Sequence, residues 1–237
     1  LTFFRAPAAS GHHLRNPEDC KLVDKSNGKE TMLFTADELN KWAGTNDDNK
    51  VRNLGYVQFP YADKSLVLIT AKNERMLIDF KKKKTIWRQK REKEQAAEWN
   101  AKSKAVAYVK GDNLYVTDTE GKTKQLTTDG SREIVYGQAV HRNEFNCNGG
   151  LFWSADGMKV AFYRMDQTMV ADYPQVNTFE REATYEPDKY PMAGMTSHKV
   201  TVGVYDLNTG KTVYLKAGDP TDRYFTNIAW APDGKKE

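Results

Sequence analysis

The sequence predicts an all-β chain: a partial β-propeller of four-stranded antiparallel blades. Three observations predict it. A pattern of aromatic pair, polar turn and apolar strand recurs along the chain. A second strand pair with a tight turn follows several of the copies. The longest apolar runs, such as Leu66–Ile69, have the length of strands, far short of the roughly 18 residues a membrane helix needs.

The copies justify the elements in order. VQFPYADKSLVLIT (57–70), AEWNAKSKAVAYV (97–109), LFWSADGMKVAFY (151–163) and IAWAPDGKK (228–236) share the first pattern. The following strand pairs are RMLIDFKKKKTIW (75–87), the weakest copy, then NLYVTDTEGKTKQLT (113–127) and VTVGVYDLNTGKTVYLK (200–216). LYVTD and VGVYD alternate in period two and are rich in Val, Tyr and Thr, residues that fit a pleated, half-buried surface. EGK, NTGK, SADG and APDG supply residues that tolerate positive φ in hairpin turns. Asp156 and Asp233 are read as caps of their own turns. A unit of about 40 to 50 residues with four strands must stack on copies of itself to bury both faces, which is the mark of a propeller.

The anchors Phe59, Trp99, Trp153 and Trp230 stand 40, 54 and 77 residues apart. Two insertions account for the drift, one around 130–150 and one over 166–198. The second contains three prolines and little periodicity, so it is read as an excursion from its blade. Thr35 and Glu38 have the spacing of a capping box and predict a short helix there. The expected organisation is an N-terminal segment, 1–50, with a weak earlier blade over 1–34, followed by blades over 51–237. The strand-turn pattern breaks off at Glu237, so further blades are expected beyond it, and open blade faces favour a homo-oligomer. Tyr56, Trp99, Trp153 and Trp230 are expected in the core of inner strands.

Composition narrows the function classes. Aromatic residues at 11% and charged residues at 29% describe a globular chain rather than a disordered one. Two cysteines, Cys20 and Cys147, make no disulfide framework and leave their pairing open. His12 and His13 have no partners in a metal-ligand pattern, and neither a metal nor another cofactor is expected. The net charge of +4 is concentrated: residues 72–104 carry 12 basic and 5 acidic side chains. KKKK at 81–84 falls where a hairpin turn is expected, and only Trp87 interleaves with the basic residues. A solvated loop is therefore the reading, without nucleic-acid binding.

WSADGMKVAFYRMDQ, then KYPMAG, then HKVTVGVYDLNTGKTVYL resemble the N-terminal propeller of the dipeptidyl peptidase IV branch of the prolyl oligopeptidase family, in particular its bacterial prolyl tripeptidyl and dipeptidyl peptidases. The resemblance covers roughly residues 50–237, and YRMDQ and YPMAG are its specific parts. It implies an eight-bladed propeller, of which this chain is a fragment, paired with a downstream α/β-hydrolase domain that carries the Ser-Asp-His triad. The residues agree: there is no G-x-S-x-G nucleophile elbow, and Ser154, Ser197 and His198 lie in turn or strand contexts, so no catalytic residue is assigned. Ser197 and His198, as neighbours on a strand, would point to opposite faces.

The resemblance also implies a role for Glu144. Dipeptidyl members carry two adjacent glutamates ahead of the aromatic strand, where they bind the substrate's free α-ammonium by charge-assisted hydrogen bonds. Here the matching segment is HRNEF, with Arg142 and Asn143 before the single Glu144. That departure leans towards a tripeptidyl pattern. Arg75 lies near the position of a substrate-contacting arginine but is not assigned that role. The implied partners are short peptides with a free N-terminus and a nearby proline, and the implied location is exported, periplasmic or at a bacterial cell surface. The competing reading is a non-catalytic propeller that binds a protein or a glycan. For Glu144 alone, the competing reading is an ion pair on a solvated loop.

Overall fold

The computed structural model describes residues 3–5 (backbone only), 18–24, 26–62 (Tyr56 by backbone only), 64–140, 148–221, 223–226 and 228–231. They form antiparallel sheets with one short α-helix. The chain divides into two compact units, residues 1–92 and 93–237.

In the first unit, β1 (Phe3–Arg5), β2 (Asp19–Val23) and β3 (Glu30–Thr35) make a three-stranded sheet. Helix α1 (Ala36–Ala43) follows at once. Thr35 accepts from the Glu38 N–H and the Glu38 carboxylate accepts from the Thr35 N–H, the reciprocal capping box its spacing predicts. Gly44, at φ 61°, closes the other end. A second sheet holds β4 (Leu66–Thr70), β5 (Glu74–Asp79) and β6 (Lys84–Lys90). Its expected innermost strand shrinks to one bridge, Gln58 to Leu68, so the sheet has three strands rather than four. Phe59, followed by Pro60, stands next to that bridge. KKKK forms the β5–β6 turn, with Asp79 opposite Lys84. Cys20, Phe34, Leu39, Ile69, Met76 and Ile78 fill the core of this unit.

The second unit begins with a four-stranded sheet: β7 (Gln95–Trp99), β8 (Val106–Lys110), β9 (Asn113–Thr117) and β10 (Thr123–Gln125), paired in sequence order. The next sheet is centred on β13 (Lys159–Asp166), whose buried middle reflects two covered faces. It pairs with β18 (Lys199–Asp206), and β18 with β19 (Lys211–Tyr214). Two further strands, β11 (Ile134–Tyr136) and β12 (Leu151–Trp153), also join β13, so this sheet has five strands rather than four.

Successive side chains of β13 point to opposite faces. Val160 and Phe162 pack with Ala107, Val109 and Leu114 of the preceding sheet. Ala161 and Tyr163 pack with Val200, Val202, Phe225 and Trp230. The sheets of this unit therefore stack face to face. The repeated tryptophans link them. Trp153 Nε1 donates to the Glu98 carbonyl and Trp230 Nε1 to the Phe152 carbonyl, each at 2.9 Å. In both cases the acceptor is the residue before the preceding tryptophan of the repeat.

Tyr56 and Trp230 do not lie on the inner strands expected of them: Leu54–Tyr56 is a 3-10 turn and Trp230 is in no strand. The 166–198 segment is an excursion from its sheet, as read, and is regular in itself. Its strands β14 (Asp172–Tyr173), β15 (Val176–Asn177), β16 (Thr184–Tyr185) and β17 (Asp188–Lys189) pair as one hairpin ribbon in a single register. Its tip is open to solvent, with Phe179 98% exposed. Ser197 and His198 lie in the loop before β18, which starts at Lys199, so the opposite-face argument does not apply to them.

Candidate functional site

The site is built where β13 meets its split neighbour. One edge of β13 is fully occupied by β18. On the other edge, β12 faces residues 160–162 and β11 faces residues 164–166. Between them only Tyr163 remains, and it serves both strands. Its carbonyl accepts from the Gly137 N–H at 2.9 Å, and its N–H donates to the Gly150 carbonyl at 3.1 Å. A single edge strand is thus interrupted at one residue, and the chain leaves the sheet between 138 and 149.

That interruption carries the HRNEF segment. Glu144, with His141, Arg142, Asn143 and Cys147, lies outside the described residues, as do His12, His13 and Asp233. What the structure does place is the root of the segment. Val140, on the outgoing side, is buried among Ala161, Tyr163 and Val202. Tyr136, at the end of β11, is buried and donates its hydroxyl proton to Asp129 at 2.7 Å. Arg164, directly opposite on β13, donates from Nε to the Tyr136 oxygen at 3.0 Å and from Nη2 to Asp129 at 3.2 Å. The bond from Tyr136, with help from Arg164, holds the Asp129 carboxyl below the usual carboxylate range. Burial, together with the Asp129 carboxylate, pushes the Tyr136 phenol well above its ordinary value.

A cavity of about 560 Å³ opens beside this root. Met165 and Gln167 of YRMDQ and Tyr190 to Gly194 of YPMAG line it, together with Gln138 and Ala139, where the segment departs. The two motifs that carry the resemblance therefore share one cavity. His198 lies at its wall, buried, with its ring 6.4 Å from that of Tyr224. The apolar part of the lining includes Val135, Met192 and Met195. The polar part includes Gln138, Gln167, Asp188, Lys189 and Ser197, so the lining is mixed in character.

The remaining singled-out residues have structural roles. Ser154 is buried, donates to Asp156 at 2.6 Å and accepts from the Lys159 N–H at 2.9 Å, closing the β12–β13 turn. The bond from Ser154 keeps the Asp156 carboxyl below its ordinary range, so Asp156 caps its own turn as read from the sequence. Arg75 is buried on β5 of the first unit. Cys20 is buried, and burial pushes its thiol up to about 11. Among the described residues there is no group of three or more His, Cys, Asp and Glu that could hold a metal ion, and no helix is long and apolar enough to cross a membrane.

The family model described as the dipeptidyl peptidase IV (DPP IV) N-terminal region matches residues 53–236. The chain belongs to this DPP IV N-terminal region family. Among curated relatives, the probable dipeptidyl-aminopeptidase B of Verticillium alfalfae is 33% identical over 159 residues, which is 59% of this chain and 18% of that protein. The corresponding protein of Talaromyces marneffei is 30% identical over 160 residues, 60% of this chain and 18% of that protein. A solved structure from Bacteroides ovatus, assigned as a dipeptidyl aminopeptidase IV, superposes with a TM-score of 0.79 at 42% identity, over 92% of this chain and 31% of that one. Dipeptidyl peptidase 4 of Porphyromonas gingivalis shares the fold, with a TM-score of 0.61 at 16% identity, over 92% of this chain and 32% of that one. This DPP IV N-terminal region thus spans about 18% of the length of the curated relatives named here and just under a third of the two structures.

Proposed function

We propose that this chain is the propeller part of an exported serine exopeptidase that removes Xaa-Pro dipeptides or Xaa-Xaa-Pro tripeptides from peptide N-termini. In this reading the face-to-face sheets are blades of an eight-bladed propeller, with blades over 51–237 and residues 1–50 as a preceding segment. An α/β-hydrolase domain of the same protein supplies the triad. Glu144 binds the substrate's α-ammonium, and its distance from the nucleophile sets how many residues are removed. The propeller gates access, excluding folded proteins and admitting short peptides.

One observation carries the reading: in a member of the DPP IV N-terminal region family, the edge of β13 is split so that the Glu144 segment leaves the sheet at a fixed point. A loop that only joined two strands would not need to interrupt one. The cavity lined by YRMDQ and YPMAG at the root of that segment offers room for peptide side chains. The exposed Phe179, Tyr185 and Val176 of the ribbon supply an apolar surface suited to a second copy.

The test is Glu144→Ala in the full-length protein. Removing one partner of a desolvated charge pair loses at least about 2 kcal/mol of transition-state binding. That corresponds to a drop of about 30-fold in kcat/KM on free-amine Xaa-Pro or Xaa-Xaa-Pro peptides. Equal kcat/KM for variant and parent on both peptide lengths overturns the assignment.

A further inference from the structure

Neighbouring residues of β11 and β13 point to opposite faces of their sheet. Val135 and Met165, one register pair, line the cavity described above. The next pair, Tyr136 and Arg164, lines a second cavity, also of about 560 Å³. Residues 126–129, just after β10, form one side of it, and β18 and β19 contribute Thr201, Thr212 and Tyr214.

The chemistry of this cavity differs from that of the first. Leu126 is the one aliphatic side chain in its lining. Thr128, Thr201 and Thr212 bring hydroxyl groups, while the hydroxyl of Thr127 is engaged with Asn113 and the Leu114 N–H. Asp129 and Arg164 are the charged groups, and they bond each other at 3.2 Å. The lining therefore carries no net charge, and an ion of either sign meets its own sign beside its counter-charge. A carboxylate only accepts, a guanidinium only donates, and hydroxyls do both. A neutral ligand with several hydroxyls of its own matches that set, whereas an apolar ligand would leave it unpaired.

The aromatic part of the cavity is held in place. Tyr214 stands opposite Gly203 in the β18–β19 ladder. The ring of Phe162 fills the space over Gly203, where a built Cβ would come within 2.7 Å of the ring carbon Cε2. Phe162 meets Tyr214 edge to face, with centroids 6.0 Å apart and planes at 81°, and lies 6.1 Å from the Tyr136 ring. Tyr214 is thus braced by the core, yet 41% exposed. Beside it, Tyr136 and Arg164 fix the Asp129 carboxylate. A sugar ring needs both contacts: an aromatic face for its C–H groups and charge-assisted hydrogen bonds for its hydroxyls.

We propose that this cavity binds a pyranose unit of a neutral oligosaccharide. Tyr214 is the stacking platform, and Asp129 and Arg164 are the hydrogen-bonding pair. The site is separate from peptide recognition and does not depend on it.

The experiment titrates the full-length protein with maltotriose, mannotriose, xylotriose and chitotriose, and with inorganic phosphate, by saturation-transfer NMR. At least one trisaccharide is expected to bind with a Kd of about 1 mM or tighter. Its binding should slow amide exchange in residues 126–129 and 211–214. Tyr214→Ala and Asp129→Ala should each weaken it by about tenfold or more. Tyr185→Ala, on the exposed ribbon and outside the cavity, should leave it unchanged. Tyr214 and the Asp129 side chain are half-exposed, so neither substitution opens the core. Should either variant unfold, the exchange map of the parent protein decides. Three results overturn the proposal: no trisaccharide binds, binding survives both substitutions, or the slowed amides lie in other segments. Phosphate that displaces the sugar overturns it as well.

Discussion

Replacing Tyr136 with Phe isolates the polar network that ties β11 to β13. The ring stays in place, 6.1 Å from that of Phe162, and only the hydroxyl is lost. Two hydrogen bonds go with it: the one to Asp129 at 2.7 Å and the one from Arg164 at 3.0 Å. Bonds to charged groups contribute about 1.5–3 kcal/mol each when buried. The Asp129 side chain is 55% exposed, so water replaces the lost donor there. Arg164 keeps its own bond to Asp129 at 3.2 Å. The expected loss is therefore about 1–2 kcal/mol in total. In urea, with a slope of about 1–3 kcal/mol per molar, the unfolding midpoint of the second unit should fall by roughly 0.5–1 M. The pH dependence gives a second handle. The folded-state pKa of Asp129 is depressed, chiefly by the Tyr136 hydroxyl, so the stability it adds is present above the ordinary carboxylate range and lost as pH falls through its folded value. The gap between parent and variant should narrow on acidification through that range. A loss below about 0.5 kcal/mol, or a gap that stays constant down to low pH, would refute the reasoning.

Thr35→Ala removes the side-chain half of the capping box and should lower the stability of the first unit by about 1 kcal/mol, read from its urea midpoint. Trp153→Phe keeps an aromatic ring but deletes the indole N–H that bonds the Glu98 carbonyl, and should destabilise the second unit by about 1 kcal/mol, visible by the same measurement. Cys20 should react with a thiol reagent at pH 8 only as fast as the first unit opens, and at full speed in denaturant. Since its folded pKa is raised to about 11, stability that is full at neutral pH should decline as pH rises through that value, an effect that Cys20→Ala abolishes.

The strands were legible in the sequence because their signals are local. Period-two alternation in LYVTD and VGVYD, and turn residues at Gly121, Gly157 and Gly210, act within a few residues of each other, and all three glycines take positive φ. The capping box of Thr35 and Glu38 is local in the same way. The split edge was not legible. No local pattern marks Gly137 or Gly150, and the edge of β13 shows that both ends of the loop share Tyr163. The ribbon over 172–189 was missed because few of its residues are buried, and without a buried face there is no alternation to read. The tryptophan bonds were half visible. Recurrence put Trp153 and Trp230 at equivalent places in the repeat, although Trp230 is in no strand, and only the structure reveals an acceptor for each indole. The Asp129–Tyr136–Arg164 network left a fainter trace, since a buried tyrosine needs partners, and these come from a loop before it and a strand beyond the insertion.

The most direct measurement is a crystal structure of the full-length protein bound to a free-amine Xaa-Xaa-Pro peptide. It should show a Glu144 carboxylate oxygen at about 2.8 Å from the peptide's terminal nitrogen, with the segment rising from Gly137 and Gly150. A terminal nitrogen held by other groups, with Glu144 turned to solvent or paired to Arg142, would contradict the account.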